Sequence, residues 1–293
     1  MNRIDAELKK KQIEELKALE KIVESKGDPN VSKLLSKKQR YLKKNNPSKF
    51  EVWFWNQSYF KTGLIVSIVF IILSYVSNEN SLLSLILNSI EPLSVVLAVM
   101  IFIKETPERK KQYNYQALST IDSASGIRNS KARVIALQDL VDEGINLDEL
   151  DLNNANLEGI EMNGVEIKNG IFIGANLSDA VMHLANLQKG DFSEVYAPSI
   201  QIRFGNLSFS NFKNSNFSNA DFSNSNLMFA NFEDANLSGA KFRNAKLRGA
   251  KFKGAYLNGA DFKDAKIDLN SLKKGKLENA ILPNGEEYKE SKV

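Results

Sequence analysis

Apolar residues follow two different rules along this chain. From about residue 145 onward a Leu or Phe recurs every five positions, as in "SNADFSNSNLMFANFEDANLSGAKFRNAKLRGAKFKGAYLNGADF" (218–262). A small residue, Ala, Gly or Ser, stands two places before most of them, and polar residues fill most of the rest. Five is the period of neither helix nor strand. Three residues that alternate in, out, in, followed by two free to turn, make one short strand and a corner. A chain that turns every five residues closes a square coil every twenty.

The frame runs without insertion from Leu147 to Leu282, which is 28 repeats. Sorting the central residues by every fourth repeat tests the twenty-residue period. One column reads Leu152, Phe172, Phe192, Phe212, Phe232, Phe252, Leu272. Another, from Leu147 through Leu207 to Ile267, has no aromatic at all. Columns that keep their own character predict four stacked sides with ladders of like residues inside. At about 4.8 Å per coil, seven coils make a rod of roughly 34 Å. The stretch 195–202, "VYAPSIQI", departs from the pattern, and a bulge or dent is expected there.

Upstream the pattern changes. "GLIVSIVFIILSYV" (63–76) and "LLSLILNSIEPLSVVLAVMIFI" (82–103) are the long apolar stretches, and no Lys or Arg lies between Lys61 and Lys104. The intervening residues accommodate two spans and a tight turn across a hydrocarbon core of about 30 Å. Trp53, Trp55, Tyr59 and Phe60 precede the first span as an interfacial belt. Lys and Arg flank the pair and avoid the turn "SNENS", which predicts cytoplasmic termini. Glu91, followed by Pro92, is the one carboxylate within the second span. Intramembrane acids are functional candidates, although a kink with the acid reaching toward water is the plainer expectation for Glu91.

The first fifty residues carry 14 basic and 7 acidic side chains and no signal-peptide pattern. Ile13, Leu16, Leu19 and Val23 stripe one helix there; "GDPN" ends it, and "VSKLLSKKQRYLKK" suggests another. Between the spans and the repeats, Pro107, Gly126, Ser130 and Gly144 punctuate two short helices. The second, with Val134, Leu137, Leu140 and Val141 on one side, suits a lid on the open end of the coil. The expected organisation is a basic cytoplasmic helical region (1–50), a transmembrane helix hairpin (51–104), a helical linker and cap (105–144) and the repeat domain (145–293).

The units "ANLEG", "ANLSD", "ADFSN", "ANFED", "ANLSG" and "ADFKD" resemble the A(D/N)LXX repeats of pentapeptide-repeat proteins. That resemblance implies an all-β right-handed quadrilateral β-helix. The segment upstream is similar to the joint between membrane anchor and repeats in bacterial, especially cyanobacterial, members, which implies location in a bacterial inner (plasma) membrane.

Composition narrows the chemistry. The absence of Cys and the single His remove thiolate metal sites, Cys nucleophiles and most Ser-His-Asp schemes. That His, His183, follows the central Met182 and is expected to stand outward alone, a solvated side chain. No phosphate loop or acid–base pair stands out, so neither enzyme nor cofactor is expected. Charge is segregated instead. Residues 145–240 carry 12 acids and 4 bases, whereas 241–276 carry 11 bases and 3 acids. Lys241, Arg243, Lys246, Arg248, Lys251 and Lys253 lie beside three successive central residues and form a candidate docking band. The expected function is a non-enzymatic, membrane-anchored scaffold that presents the rod to a cytoplasmic protein or to a second copy. A channel or membrane effector is one alternative. A DNA mimic that binds topoisomerases, as some family members do, is another, although it calls for an evenly acidic rod. Nucleic acid itself suits the band less well, since within it only Tyr256 offers an outward aromatic.

Overall fold

The computed structural model describes residues 109–289 apart from 125 and 126, together with scattered positions upstream. The chain divides into two units, Met1–Leu42 with Ala117–Val293, and Lys43–Gln116. The repeat coil and its cap belong to the first.

Parallel bridges join outward residues twenty positions apart, from Asn146↔Glu166 to Asp261↔Ile281, with Lys251 and Ser271 the one unbridged pair in the series. One turn is therefore twenty residues, and each turn has four sides. The N–H of a central residue donates to the carbonyl 19 residues later, as from Leu152 to Ile171 at 2.7 Å. The N–H of an outward residue donates back 21 residues, as from Asn176 to Ala155 at 2.9 Å. Each side is too short to be a stable strand alone, so stability comes from stacking coil on coil. The bridges run unbroken through Tyr196 and Gln201. No bulge interrupts the coil at 195–202, because Pro198 occupies the first turn position, where its fixed φ suits a β-turn.

Side 1 carries the Leu147–Ile267 column, side 2 the Phe172–Phe252 column, side 3 Leu157 to Leu277 and side 4 Met162 to Leu282. On side 2 Phe172, Phe192, Phe212, Phe232 and Phe252 stack with ring centroids 4.5, 5.2, 4.6 and 5.2 Å apart. Phe222, Phe242 and Phe262 stack on the opposite side 4 at 5.4 and 4.9 Å. Rings from these facing ladders meet edge-on, as Phe232 does with Phe222 and Phe242 at 6.3 and 5.9 Å, the offset arrangement favoured by ring quadrupoles. Ala, Gly or Ser at the position before most outward residues leaves room for them, with Leu150, Ile160, Val165, Val195 and Ile200 as larger exceptions. Ser225, fully buried, links two coils: its hydroxyl donates to the Ile202 carbonyl at 2.6 Å and accepts the Gly205 N–H at 3.0 Å.

The corners explain the rest of the repeat. The N–H of the small residue donates to the preceding central carbonyl, as from Ala155 to Leu152 at 3.1 Å, which closes a four-residue turn. The second residue of every such turn from Glu149 to Asp264 has a positive φ. Gly, Asn and Asp dominate there because they enter the left-handed region at least cost. The outward Asn or Asp is fixed as well. Its side-chain oxygen accepts the N–H two residues on, as Asp191 does from Ser193 at 3.0 Å. Its amide reaches the coil before, as from Asn226 to Asn206 at 3.1 Å. The (D/N) of the repeat is thus a turn cap as well as a surface residue.

Both ends of the coil are covered. The helix Lys131–Asp142 begins at Ser130, whose hydroxyl accepts the Arg133 N–H at 3.2 Å. It ends with Gly144 at φ 64, its N–H on the Val141 carbonyl and that of Ile145 on Leu140, a Schellman closure. Leu137 and Leu140 are buried in the same core as the first coil, and Gln138 donates to the Glu161 carbonyl at 2.8 Å. Arg133 is buried beneath the helix and donates to the Ile127 carbonyl at 3.0 Å. Burial lowers its pKa from the usual value, with Asp151 acting in the opposite sense. At the far end the five-residue frame yields. Asp268 caps the one-turn helix Leu269–Leu272, which replaces one side while keeping Leu272 buried. The chain then folds back at Gly285, pairs Ile281 with Glu287 antiparallel, and lays Tyr288 against the core. The five-residue frame expected to Leu282 is therefore broken at this one repeat and resumes in register, with parallel bridges Tyr256↔Lys276 and Asp261↔Ile281 and with Leu277 buried.

Upstream, the described positions Lys17, Glu20, Lys21, Val23, Ser32 and Leu35 are helical, with Val23 and Leu35 buried. Ile65, Ile68, Ile72 and Ala98 are helical and exposed. Among the described residues no helix is long and apolar enough to cross a membrane; most of both expected spans, with Glu91, lies outside the described residues. So do Pro107 and Gly126.

Candidate docking surface

Three successive repeats, "KFRNA", "KLRGA" and "KFKGA" (241–255), place the band. Lys241, Lys246 and Lys251 take the outward bridge position on sides 4, 1 and 2, and Arg243, Arg248 and Lys253 take the first turn position after each. All six are exposed. At the same three places one coil earlier stand Asp221, Asn226 and Asn231, each of which accepts a turn N–H. Lysine has no acceptor, so these three repeats forgo the turn cap and the inter-coil amide ladder in exchange for outward charge.

The six cations do not behave alike. Arg243 pairs through Nε with the carboxylate of Asp261, which is 8% exposed and also accepts the Lys263 N–H at 2.9 Å. Lys241 lies between Asp221 and Asp261 in the side 4 ladder. That side is electrically mixed. By contrast Lys246, Arg248, Lys251 and Lys253 have no carboxylate within 4.0 Å among the described residues. The structure thus narrows the band to sides 1 and 2 and the corners that follow them. Further along, Lys276 sits over the Tyr256 ring, 3.9 Å from its centroid, so that outward aromatic is already occupied.

His183 is not a solvated side chain. It is buried at the corner between sides 4 and 1, where its N–H donates to Asn163 Oδ1 at 2.9 Å. Its Nδ1 accepts the Arg203 N–H at 3.2 Å, and Arg203 Nη2 lies 3.3 Å from Nε2. At this corner the ring is covered by Asn163 and Arg203, its neighbours twenty residues to either side. Among the described residues no group of three His, Asp or Glu is placed to hold a metal.

Two exposed aromatics escaped the sequence reading. Phe209 and Phe229 occupy the second turn position on the corner between sides 1 and 2, stacked at 5.0 Å, and the Phe229 ring lies against Gly249, which Arg248 precedes. The signal was present: Phe stands where the repeat otherwise favours Gly, Asn or Asp.

Two family matches fall on this coil. Residues 160–196 match pentapeptide repeats (8 copies), and residues 203–272 match the pentapeptide repeat region. Residues 160–196 and 203–272 are pentapeptide repeats. Their coil is accordingly a right-handed β-helix. No curated protein matches the chain in sequence. Among solved structures, full-length QnrB1, a plasmid-mediated fluoroquinolone resistance protein, is similar at 20% identity over 47% of this chain and 84% of its own, with a TM-score of 0.25. A pentapeptide-repeat protein from the Arabidopsis thaliana thylakoid lumen matches at 21% over 42% and 71%, TM-score 0.25. HetL from the cyanobacterium Nostoc matches at 23% over 50% and 92%, TM-score 0.18.

Proposed function

We propose that this protein is a non-enzymatic pentapeptide-repeat scaffold of the bacterial plasma membrane, of the kind seen in cyanobacteria, that offers its coil to a cytoplasmic protein. One observation carries the docking role. Lys246 and Lys251 replace residues that would each close a turn and extend an amide ladder. A coil selected only for its own stability has no reason to give those bonds up at successive sides. The charge left outside is unpaired among the described residues and gathered on two sides. A surface that serves solubility alone mixes its signs.

Anchoring rests on the two apolar stretches and on the exposure of Ile65, Ile68 and Ile72, which recur at helical spacing with their side chains uncovered. Such a face suits lipid. The basic distal coils weigh against an evenly acidic duplex mimic. Reporter fusions test the topology: fusions at Val293 and near Asn80 are expected on opposite sides of the membrane, with Val293 cytoplasmic. A periplasmic C-terminus overturns the anchored arrangement.

A further inference from the structure

Phe209 and Phe229 stand where the coil itself gains least from them. Their φ values are 63° and 60°, in the left-handed region that bulky side chains avoid. Leu184 and Phe204 adopt similar angles but are buried, so packing holds them. Phe209 and Phe229 remain 52% and 49% exposed. Strain kept without burial points outward, to something that covers the rings.

The neighbourhood says what. One coil further on the same corner is Gly249, where a Cβ would come within 2.5 Å of the Phe229 ring. Phe229 is therefore sandwiched between Gly249 and Phe209, and its exposed part is the rim. A ring rim carries partial positive charge. Lys189 precedes the pair on this corner, and Arg248 follows it with Lys246 and Lys251 on the adjoining sides; all four are exposed. Between them, the amides of Asn226 and Asn231 are tied into ladders with Asn206 and Asn211. The patch is an apolar centre with cations at both ends.

We propose that this corner seats a short acidic segment of a partner protein, with apolar side chains on the Phe209–Phe229 rims and carboxylates on Lys189 and on Arg248 or Lys251. Three coil steps separate the two cationic ends, about 14 Å, which an extended chain covers in about four residues. A second copy docked corner to corner in antiparallel fashion would set Lys189 against Arg248 and Lys251, like against like. A single-stranded nucleic acid stacks its bases on ring faces, and both faces of Phe229 are covered. The inference deepens the docking role proposed above and rests on it for Arg248 and Lys251.

A phage-displayed library of random dodecapeptides, selected on the full-length protein in detergent micelles, tests it. The expected pool pairs aromatic or aliphatic residues with flanking acids. Synthetic peptides from that pool should bind at least tenfold more weakly to the Phe209→Asn/Phe229→Asn protein. That protein should melt no lower than the parent, since Asn169 holds the same corner position at φ 54. The surface change Lys189→Glu gives an independent reading and should weaken binding several-fold. If the selected peptides are acidic without apolar residues, and bind both of these variants normally but not Arg248→Glu/Lys251→Glu, the corner inference fails and the docking band stands. If no acidic pool emerges, or an oligothymidylate displaces it from the rings, the inference is overturned. Peptides indifferent to all three variants overturn the docking band as well.

Discussion

Phe232→Ala should destabilise the coil by about 3–5 kcal/mol, the cost of emptying a fully buried aromatic site. Phe232 is fully buried, stacked between Phe212 and Phe252 and met edge-on from the opposite side by Phe222 and Phe242. Neighbouring coils hold the same ladder in place, so the cavity has little room to collapse. The adjacent outward Asn231 gives the contrast. It makes a turn cap to Glu233 and a ladder bond to Asn211, so Asn231→Ala should cost about 0.5–1.5 kcal/mol. Urea unfolding of the full-length protein followed by circular dichroism measures both. Equal losses at the two sites would mean that inward and outward have been misassigned.

Reversing the charge of the band should all but abolish docking. Lys246→Glu, Arg248→Glu and Lys251→Glu each replace an attraction by a repulsion, and close charge pairs across an interface are worth at least about 1.5 kcal/mol, more than tenfold in affinity each. Arg243 is left unchanged, since removing it would strip the partner from the buried Asp261 carboxylate. The neutral change Lys251→Asn separates charge from fold. It should weaken docking while leaving stability equal or slightly higher, because Asn recovers the turn cap and the ladder to Asn231. Retained partner should also fall steeply as salt rises past physiological strength, where the Debye length drops below about 8 Å. Co-purification of the partner from membranes, compared with melting temperature for each variant, reads out both effects.

The interior was legible in the sequence because it depends on side-chain size alone. A Phe column that repeats every twenty residues from Phe172 to Phe252 has one geometric solution, and the caps at Ser130 and Gly144 follow from backbone groups that every helix leaves open. The corners were less legible, since their logic lies in φ. Asn at positions such as Asn169 reads as generic polarity until the left-handed turn is seen, and the same blindness hid Phe209 and Phe229. His183 was misjudged because alternation along one side says nothing of coverage by the coils on either side. The division of the band escaped for a related reason: Arg243 and Asp261 are 18 residues apart in sequence and meet only when the coil is wound. At the far end, Asp268 capped a helical turn that the unbroken frame had concealed.

The central claim is that a cytoplasmic protein sits on sides 1 and 2 of the distal coils. A photo-crosslinking residue placed at position 251, and in a second strain at the outward Asn236 on side 3, tests it in intact membranes. The account predicts a discrete adduct from position 251 that disappears when Lys246 and Arg248 are reversed, with none from position 236. An adduct of equal yield at both positions, or one confined to position 236, would contradict it.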